Sequence, residues 1–307
     1  MSKKPSLEAN LCGSRMRNPL VLASGIWGLT GGNLVRAAKD GAGAVTSKSC
    51  SREPRKGYGN PAIVEWDNAM LNAVGLSNPG VEEMKGEIAF AVKNAGAPVI
   101  ASAFGHTFED YAFVCEKLAS VKPALIEIDI SCPHHMPGGG IGKPFACVPA
   151  DAAKVTEAAK NACGKIPLVV KLSPNVSDIS EIAKAVEGAG ADAICAINTL
   201  KAMVIDVEAR RPVLANKVGG LSGPAIFPVA LRAVYDVRRA VEIPIIGTGG
   251  VTTGKDAVAM LMAGANVVGV GSAIAFRDNV FRRIEEEMEI FMRENNYTKV
   301  GELKLEE

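Results

Sequence analysis

Short apolar runs alternate with amphipathic helical stretches along almost the whole chain. The runs at residues 20–23, 44–47, 99–103, 125–130, 168–172, 193–197, 243–247 and 267–270 read as buried strands. They are too short for helices, rich in Ala, Val and Ile, and bounded by turn residues. Between them, Val81, Met84, Ile88 and Val92 share one helical face. So do Ile179, Ile182 and Val186, with Asp178 and Glu181 set as a capping box. A last helix at 280–293 turns Phe281, Ile284, Met288 and Phe291 inward and a glutamate-rich face outward. Helix-to-strand junctions repeat one punctuation, at Gly41-Ala42-Gly43-Ala44, Ala95-Gly96-Ala97, Gly188-Ala189-Gly190-Ala191 and Ala263-Gly264-Ala265. Glycine there ends a helix in the left-handed conformation at little steric cost. Strand and helix alternating in this way predict an α/β fold, a (β/α)8 TIM barrel, as a single domain over residues 1–307. Two connections are longer than barrel closure requires, 49–80 after the second strand and 199–223 after the sixth. Both follow carboxyl ends of strands and are expected to form a cap or a partner surface on the catalytic face.

Composition narrows the function classes. A net charge of +1 and the lack of basic clusters interleaved with aromatics argue against nucleic acid as a partner. The polar stretch from Met1 to Cys12 lacks a signal peptide's apolar core, and no run is apolar enough to span a bilayer. A soluble, cytoplasmic protein with no membrane partner is therefore expected. The seven cysteines are scattered, with no Cys-x-x-Cys pair, so neither a structural zinc nor an iron–sulfur cluster is expected and no metal site is assigned.

The chemistry concentrates at strand ends. The stretch from Glu127 to Gly142 reads Glu-Ile-Asp-Ile-Ser-Cys-Pro-His-His-Met-Pro-Gly-Gly-Gly-Ile-Gly: a strand, a sharp turn, then a glycine-rich loop that could close over a ligand. Cys132 thus stands at the carboxyl end of the fourth strand, where barrels place their reactive groups. A thiol there serves as base or nucleophile once its pKa falls below about 8.5; otherwise it is a small buried hydrophobe. Lys48, Lys171, Asn198 and Thr199 end the second, fifth and sixth strands. A buried, unpaired ammonium is too costly to be mere filling, so each of these residues either serves a ligand or simply reaches solvent. Asn72, in the long second connection, could donate to and accept from a cyclic amide, or simply make a turn. Gly247-Thr248-Gly249-Gly250 and Val268-Gly269-Val270-Gly271-Ser272-Ala273 end the seventh and eighth strands, where barrels bind phosphate on backbone amides and a helix terminus. Gly219-Gly220-Leu221-Ser222-Gly223 could add further amides.

Together these segments resemble the dihydroorotate dehydrogenase family, cytosolic class. The resemblance rests on Asn72-Ala73-Val74-Gly75-Leu76-Ser77-Asn78-Pro79-Gly80, Ile130-Ser131-Cys132-Pro133, Lys171-Leu172-Ser173-Pro174-Asn175-Val176, Ile197-Asn198-Thr199-Leu200, Gly219-Gly220-Leu221-Ser222-Gly223-Pro224-Ala225-Ile226 and Gly247-Thr248-Gly249-Gly250. They also look like the NAD-linked subgroup, whose catalytic chain works beside an iron–sulfur and FAD electron-transfer subunit. The resemblance implies FMN in the barrel mouth. Gly249, Gly250, Gly271 and Ser272 would hold its phosphate, and Ala23, Ser24 and Gly25 would face the ring. Lys48, Ser49, Ser102, Asp129, Ile197 and Gly223 would lie nearby, with Lys171 beside N1 and the C2 carbonyl. Lys48, Asn72, Val74, Gly75, Leu76, Asp129, His134, Asn198 and Thr199 would contact a dihydropyrimidine substrate. Cys132 would remove the C5 proton as C6 gives hydride to the flavin. A homodimer is expected, as barrels of this kind commonly pair.

Three positions depart from the family pattern. Relatives carry asparagine where this chain has Asp129 and His134, and often where it has Ser102. Cys132-Pro133-His134 also resembles the barrel domain of dihydropyrimidine dehydrogenases. A reductase of uracil, thymine or another cyclic amide is therefore a second reading, and a flavin- or phosphate-binding barrel without turnover a third.

Overall fold

The computed structural model describes residues 4–131, 133–135 and 141–306. Eight parallel strands close a barrel: β1 (Leu20–Leu22), β2 (Ala44–Thr46), β3 (Val99–Ala103), β4 (Leu125–Asp129), β5 (Leu168–Leu172), β6 (Ala193–Ala196), β7 (Ile245–Thr248) and β8 (Val267–Val270). Each pairs with its neighbour in chain order, and β8 returns to β1. The expected strand positions hold within two residues. The seventh starts later than its apolar run, because the amides of Glu242 and Ile243 are taken by the Glu187 carboxylate and Pro244 has none to give.

The long helices are α1 (Gly31–Lys39), α2 (Val81–Asn94), α3 (Phe108–Ala119), α4 (Pro149–Cys163), α5 (Ile179–Gly188), α6 (Phe227–Ala240), α7 (Gly254–Met262) and α8 (Val280–Glu294), with a single helical turn, Ala273–Phe276, after β8. In α2 the buried face is Val81, Met84, Ile88 and Ala91; Val92 turns outward, since a residue four past Ile88 has rotated off the stripe that three past still shares. In α8, Met292 completes the buried face, and Phe291 stacks on Tyr297 at 6.2 Å. Asp178 caps α5 through the amide of Ser180 rather than in a capping box with Glu181, as Ser180 Oγ also bonds the carboxylate. Gly41, Gly96, Gly190 and Gly264 all hold positive φ at their junctions, as expected.

Two features place the site. A hairpin, Ala9–Leu11 with Ser14–Met16, plugs the amino end of the barrel. Its Leu11 and Met16 cluster with inward side chains Val21, Ile100, Leu125, Val169, Ile246 and Val267. That end is apolar and shut, so chemistry is left to the carboxyl end. There the two long connections join. Ile63–Trp66 and Ala69–Asn72 from the first pair with Gly219–Ser222 and Leu200–Ala202 from the second, in one four-stranded antiparallel sheet. The expected cap is therefore a single element built from both connections. Its edge strand leaves Ile63 and Trp66 about half exposed.

Candidate active site

Strand alternation puts every second side chain of β4 into the barrel. Leu125 belongs to the plug layer, and Glu127 and Asp129 follow it upward. On β5, Val169 and Lys171 face inward beside them, with Lys171 opposite Asp129 and Val169 opposite Glu127 in the ladder. Glu127 is 2%, Lys171 5% and Asp129 7% exposed. Three charged groups thus share the interior of one barrel. Burial pulls the Lys171 ammonium down, but Glu127, Cys195 and Asp129 more than reverse it, so its pKa lies above the ordinary lysine value. Its Nζ donates to Ser24 Oγ at 3.2 Å, which ties β5 to the loop after β1. Below, the Cys195 thiol is pushed up to about 12, by burial first and by Glu127 second. It is a packed thiol, not a nucleophile.

Serines line the wall beside Glu127. Ser102 Oγ donates to Glu127 Oε1 at 3.2 Å and lies 2.8 Å from Ser49 Oγ; the Ser102 amide bonds Ser47 Oγ. At the position of Ser102 the wall is thus held by hydroxyls rather than by an amide side chain. Ser49 is buried, and Lys48 beside it is half-buried, its amide on the carbonyl of Gly28.

Asp129 is not a lone charge. Its carboxylate accepts from Asn198 Nδ2 at 3.1 and 3.3 Å, from the Ser131 amide at 3.0 Å and from the Ser131 hydroxyl. Asn198 Oδ1 in turn accepts from the Thr199 amide at 2.8 Å. Asn175 pins the next residues, donating to the Thr199 carbonyl and accepting from the Lys201 amide, both at 2.9 Å. Tyr111 Oη donates to the Asp129 carbonyl at 2.6 Å. The structure therefore brings Asp129, Asn198 and Thr199 together as the sequence suggested. Glu127, Ser131 and Asn175 are members that reading missed. Alternation on a strand already judged buried would have found Glu127, which lies two before Asp129.

The cap delivers Asn72. Its Nδ2 reaches the Gly220 carbonyl at 3.3 Å, and it stands opposite Gly220 in the ladder. Thr199 crosses the same spot: a Cβ at Gly220 would lie 2.1 Å from Thr199 Oγ1. Only glycine lets these strands close over the barrel mouth. Gly219–Ser222 is thus a sheet strand, not a set of amides free for an anion, which corrects that expectation. Gly223, behind it, leads into the turn before α6. Val74, Gly75 and Leu76 form a tethered loop: Arg55 Nε donates to the Gly75 carbonyl at 2.8 Å, Tyr58 N to that of Val74, and Asn78 Nδ2 to that of Leu76.

An anion cradle lies across the barrel, after β7 and β8. No oxygen among the described residues accepts from the amides of Gly249, Gly250, Gly271 or Ser272. A Cβ at Gly271 would meet only the Ala23 Cβ, at 3.6 Å, and one at Gly25 would meet nothing. The mouth of the barrel between β1 and β8 is therefore open beside Gly271, while Gly249 and Gly250 pack closely on Ala230 and Phe227. Ile197 is buried on the other side, its amide on the Thr248 carbonyl. The helix expected after β8 is present as a single turn, Ala273–Phe276, and no side chain among the described residues caps it at Ser272. The separate helix α7 closes on itself, its Asp256 carboxylate accepting from the amides of Thr252 and Thr253. Cys132 and Gly138, Gly139 and Gly140 lie outside the described residues; the backbone of Pro133–His135, which includes His134, pairs with Ile141–Pro144.

Comparison with known proteins agrees with this architecture. The profile of the family described as dihydroorotate dehydrogenase matches residues 6–292. A Pyrococcus abyssi protein named dihydroorotate dehydrogenase B (NAD(+)), catalytic subunit, is 47% identical over 298 residues, covering 97% of each chain. A Methanosarcina mazei protein of the same name is 45% identical over 302 residues, covering 98% of this chain and 95% of its own.

Proposed function

Because this chain belongs to the dihydroorotate dehydrogenase family, we infer that it is an FMN-dependent oxidoreductase that converts dihydroorotate to orotate in pyrimidine biosynthesis. The observation that carries the reading is the buried Lys171 at the barrel mouth, set between an open amide cradle and the Asp129–Asn198–Thr199 cluster. FMN fits the residues present: the four unengaged amides suit its phosphate, and the open space at Gly271 and Gly25, beside Ala23, admits a flat ring. When bound, FMN supplies a two-electron acceptor for the hydride leaving C6 of the substrate.

The chain's own residues then have separate tasks. Lys171 presents a fixed positive charge where negative charge develops. Asn72, Asn198 and Thr199 offer donors and acceptors to the pyrimidine ring. Cys132 is proposed as the base that takes the C5 proton, on the strength of its place directly after β4 and Ser131. Lys48 and His134 are proposed as further substrate contacts. The electrons leave through a partner: the relatives are named as catalytic subunits, and we propose an iron–sulfur and FAD subunit as the acceptor. No helix among the described residues is long and apolar enough to cross a membrane.

Purified protein should be yellow, and dihydroorotate should bleach it under argon while dihydrouracil does not. Bleaching by neither, or no uptake of added FMN, would reject the reading. Asp129 bears on substrate choice. Its charge is already met by Asn198 and Ser131, which lets it sit near a substrate carboxylate. Replacing it (Asp129→Asn) keeps an acceptor for these donors and removes the negative charge. Orotate should then bind roughly tenfold tighter, an electrostatic change of about 1.4 kcal/mol. Titration of the flavin spectrum measures this, and an unchanged Kd would show that the charge is not felt at the substrate.

A further inference from the structure

Among the described residues, Glu127 is the one charged side chain of the barrel interior that the reaction as described leaves unused. It is 2% exposed and lies deeper in β4 than Asp129, above the apolar plug. A carboxylate in such a place is expensive unless something in the interior requires it. Its hydrogen bonds supply part of the answer. Ser102, opposite it in the β3–β4 ladder, donates at 3.2 Å and is itself backed by Ser49. These hydroxyls hold the carboxylate in position but do not balance its charge.

The charge balance lies across β5. The titratable groups that face Lys171 are Glu127 and Asp129 from β4 and Cys195 from β6. Asp129 is already occupied by Asn198 and Ser131. Cys195 is neutral at ordinary pH, with its pKa pushed up to about 12. Lys171 itself donates only to the neutral Ser24 hydroxyl, at 3.2 Å, and no carboxylate stands within 4 Å of its Nζ among the described residues. Of the negative groups around it, Glu127 acts most strongly on the ammonium.

We propose that Glu127 is a positioning residue: the buried counter-charge, fixed by Ser102, that keeps Lys171 protonated and aimed at Ser24 and the barrel mouth. The separation beyond contact distance has a use. A close ion pair would turn Lys171 downward into the barrel and cancel its field at the mouth, whereas a counter-charge one layer below stabilises the cation and leaves its Nζ free to point up. This deepens the function inferred above and rests on it for the purpose of Lys171. The coupling of the two charges can be tested on flavin-free protein.

The experiment is a double-mutant cycle on the full chain without FMN, with Glu127→Gln, Lys171→Gln and both together, read by urea unfolding. Each single variant should shift the unfolding equilibrium toward the unfolded state, and the double variant should recover at least tenfold of the combined loss. The deficit of Glu127→Gln should shrink as pH rises from about 7 to about 10, because the unbalanced ammonium can then shed its proton. Glu127→Asp should restore most of the parent's behaviour. A deficit independent of pH with additive single effects would overturn the proposal and leave Glu127 as packing. Should Glu127→Gln alone not fold, the double variant decides: its recovery supports the coupling, its failure overturns it. On FMN-loaded protein, the flavin potential of Glu127→Gln should show a break between about pH 7 and pH 10 that the parent lacks; no break counts against the proposal. A parent that takes up no FMN would reject the function reading instead, with the flavin-free cycle unaffected.

Discussion

Lys171→Gln should cost stability and chemistry together. The substitution strands Glu127 and Asp129 in the interior without a cation, at 2% and 7% exposure. Removing one member of a buried charge set costs about 3–5 kcal/mol where the partners touch. Here no carboxylate among the described residues is within 4 Å of the ammonium, so about 3 kcal/mol is the expected loss, read by urea unfolding at neutral pH. The sign of the pH dependence follows from the direction of the shift. The Lys171 pKa is raised above 10.5, against the pull of burial, by Glu127, Cys195 and Asp129. Its contribution is therefore fully present below about 10.5 and is lost as pH rises through the raised folded value. Parent and variant should converge in strongly alkaline solution and differ most near neutrality. In flavin reduction by dihydroorotate, loss of one fixed charge at the site of developing negative charge should slow the step by roughly 10²–10³-fold. An unfolding curve and a reduction rate both matching the parent would remove Lys171 from the site.

Cys132→Ser should have the other large effect. A hydroxyl is a far weaker acid than a thiol, so proton abstraction should slow by about 10²–10⁴-fold at neutral pH and its pH dependence should move upward. Anaerobic stopped-flow following flavin bleaching measures this step directly. FMN content should stay at the parental level, because the four cradle amides lie on the loops after β7 and β8, across the barrel from β4, the strand that residue 132 follows in the sequence. Equal rates in the two proteins would mean that another group carries the proton.

The eight strands and most helical faces were legible along the chain because barrel units are local. Each buried parallel strand is a short apolar run, each helix carries its own stripe, and the glycine at each junction is dictated by one backbone conformation. The same locality made Lys48, Lys171, Asn198 and Thr199 visible, since polar residues at the ends of apolar strands stand out against their neighbours, whereas Asp129 was marked only by the family resemblance. It also explains the errors. Val92 fits the helical period loosely, and only packing shows that Ala91 fills that face of α2 and that Met292 joins Phe291 against the core in α8. Asp256 looked like any first-turn acid, and only its bonds to Thr252 and Thr253 show that α7 caps itself.

What the amino-acid pattern determined by itself is the repeating unit, the number of its copies, and the end of the barrel at which chemistry gathers. The tertiary structure alone decided three things. It joined two connections more than a hundred residues apart into one cap sheet, which brings Asn72 over Gly220 beside Thr199. It folded the amino-terminal hairpin into the opposite opening as a plug. It set Glu127 below Lys171, so that an unremarked acid became part of the charge balance of the site. Each of these depends on contacts between segments far apart in the chain. A periodic pattern states which face of an element is buried, but never which distant segment will bury it.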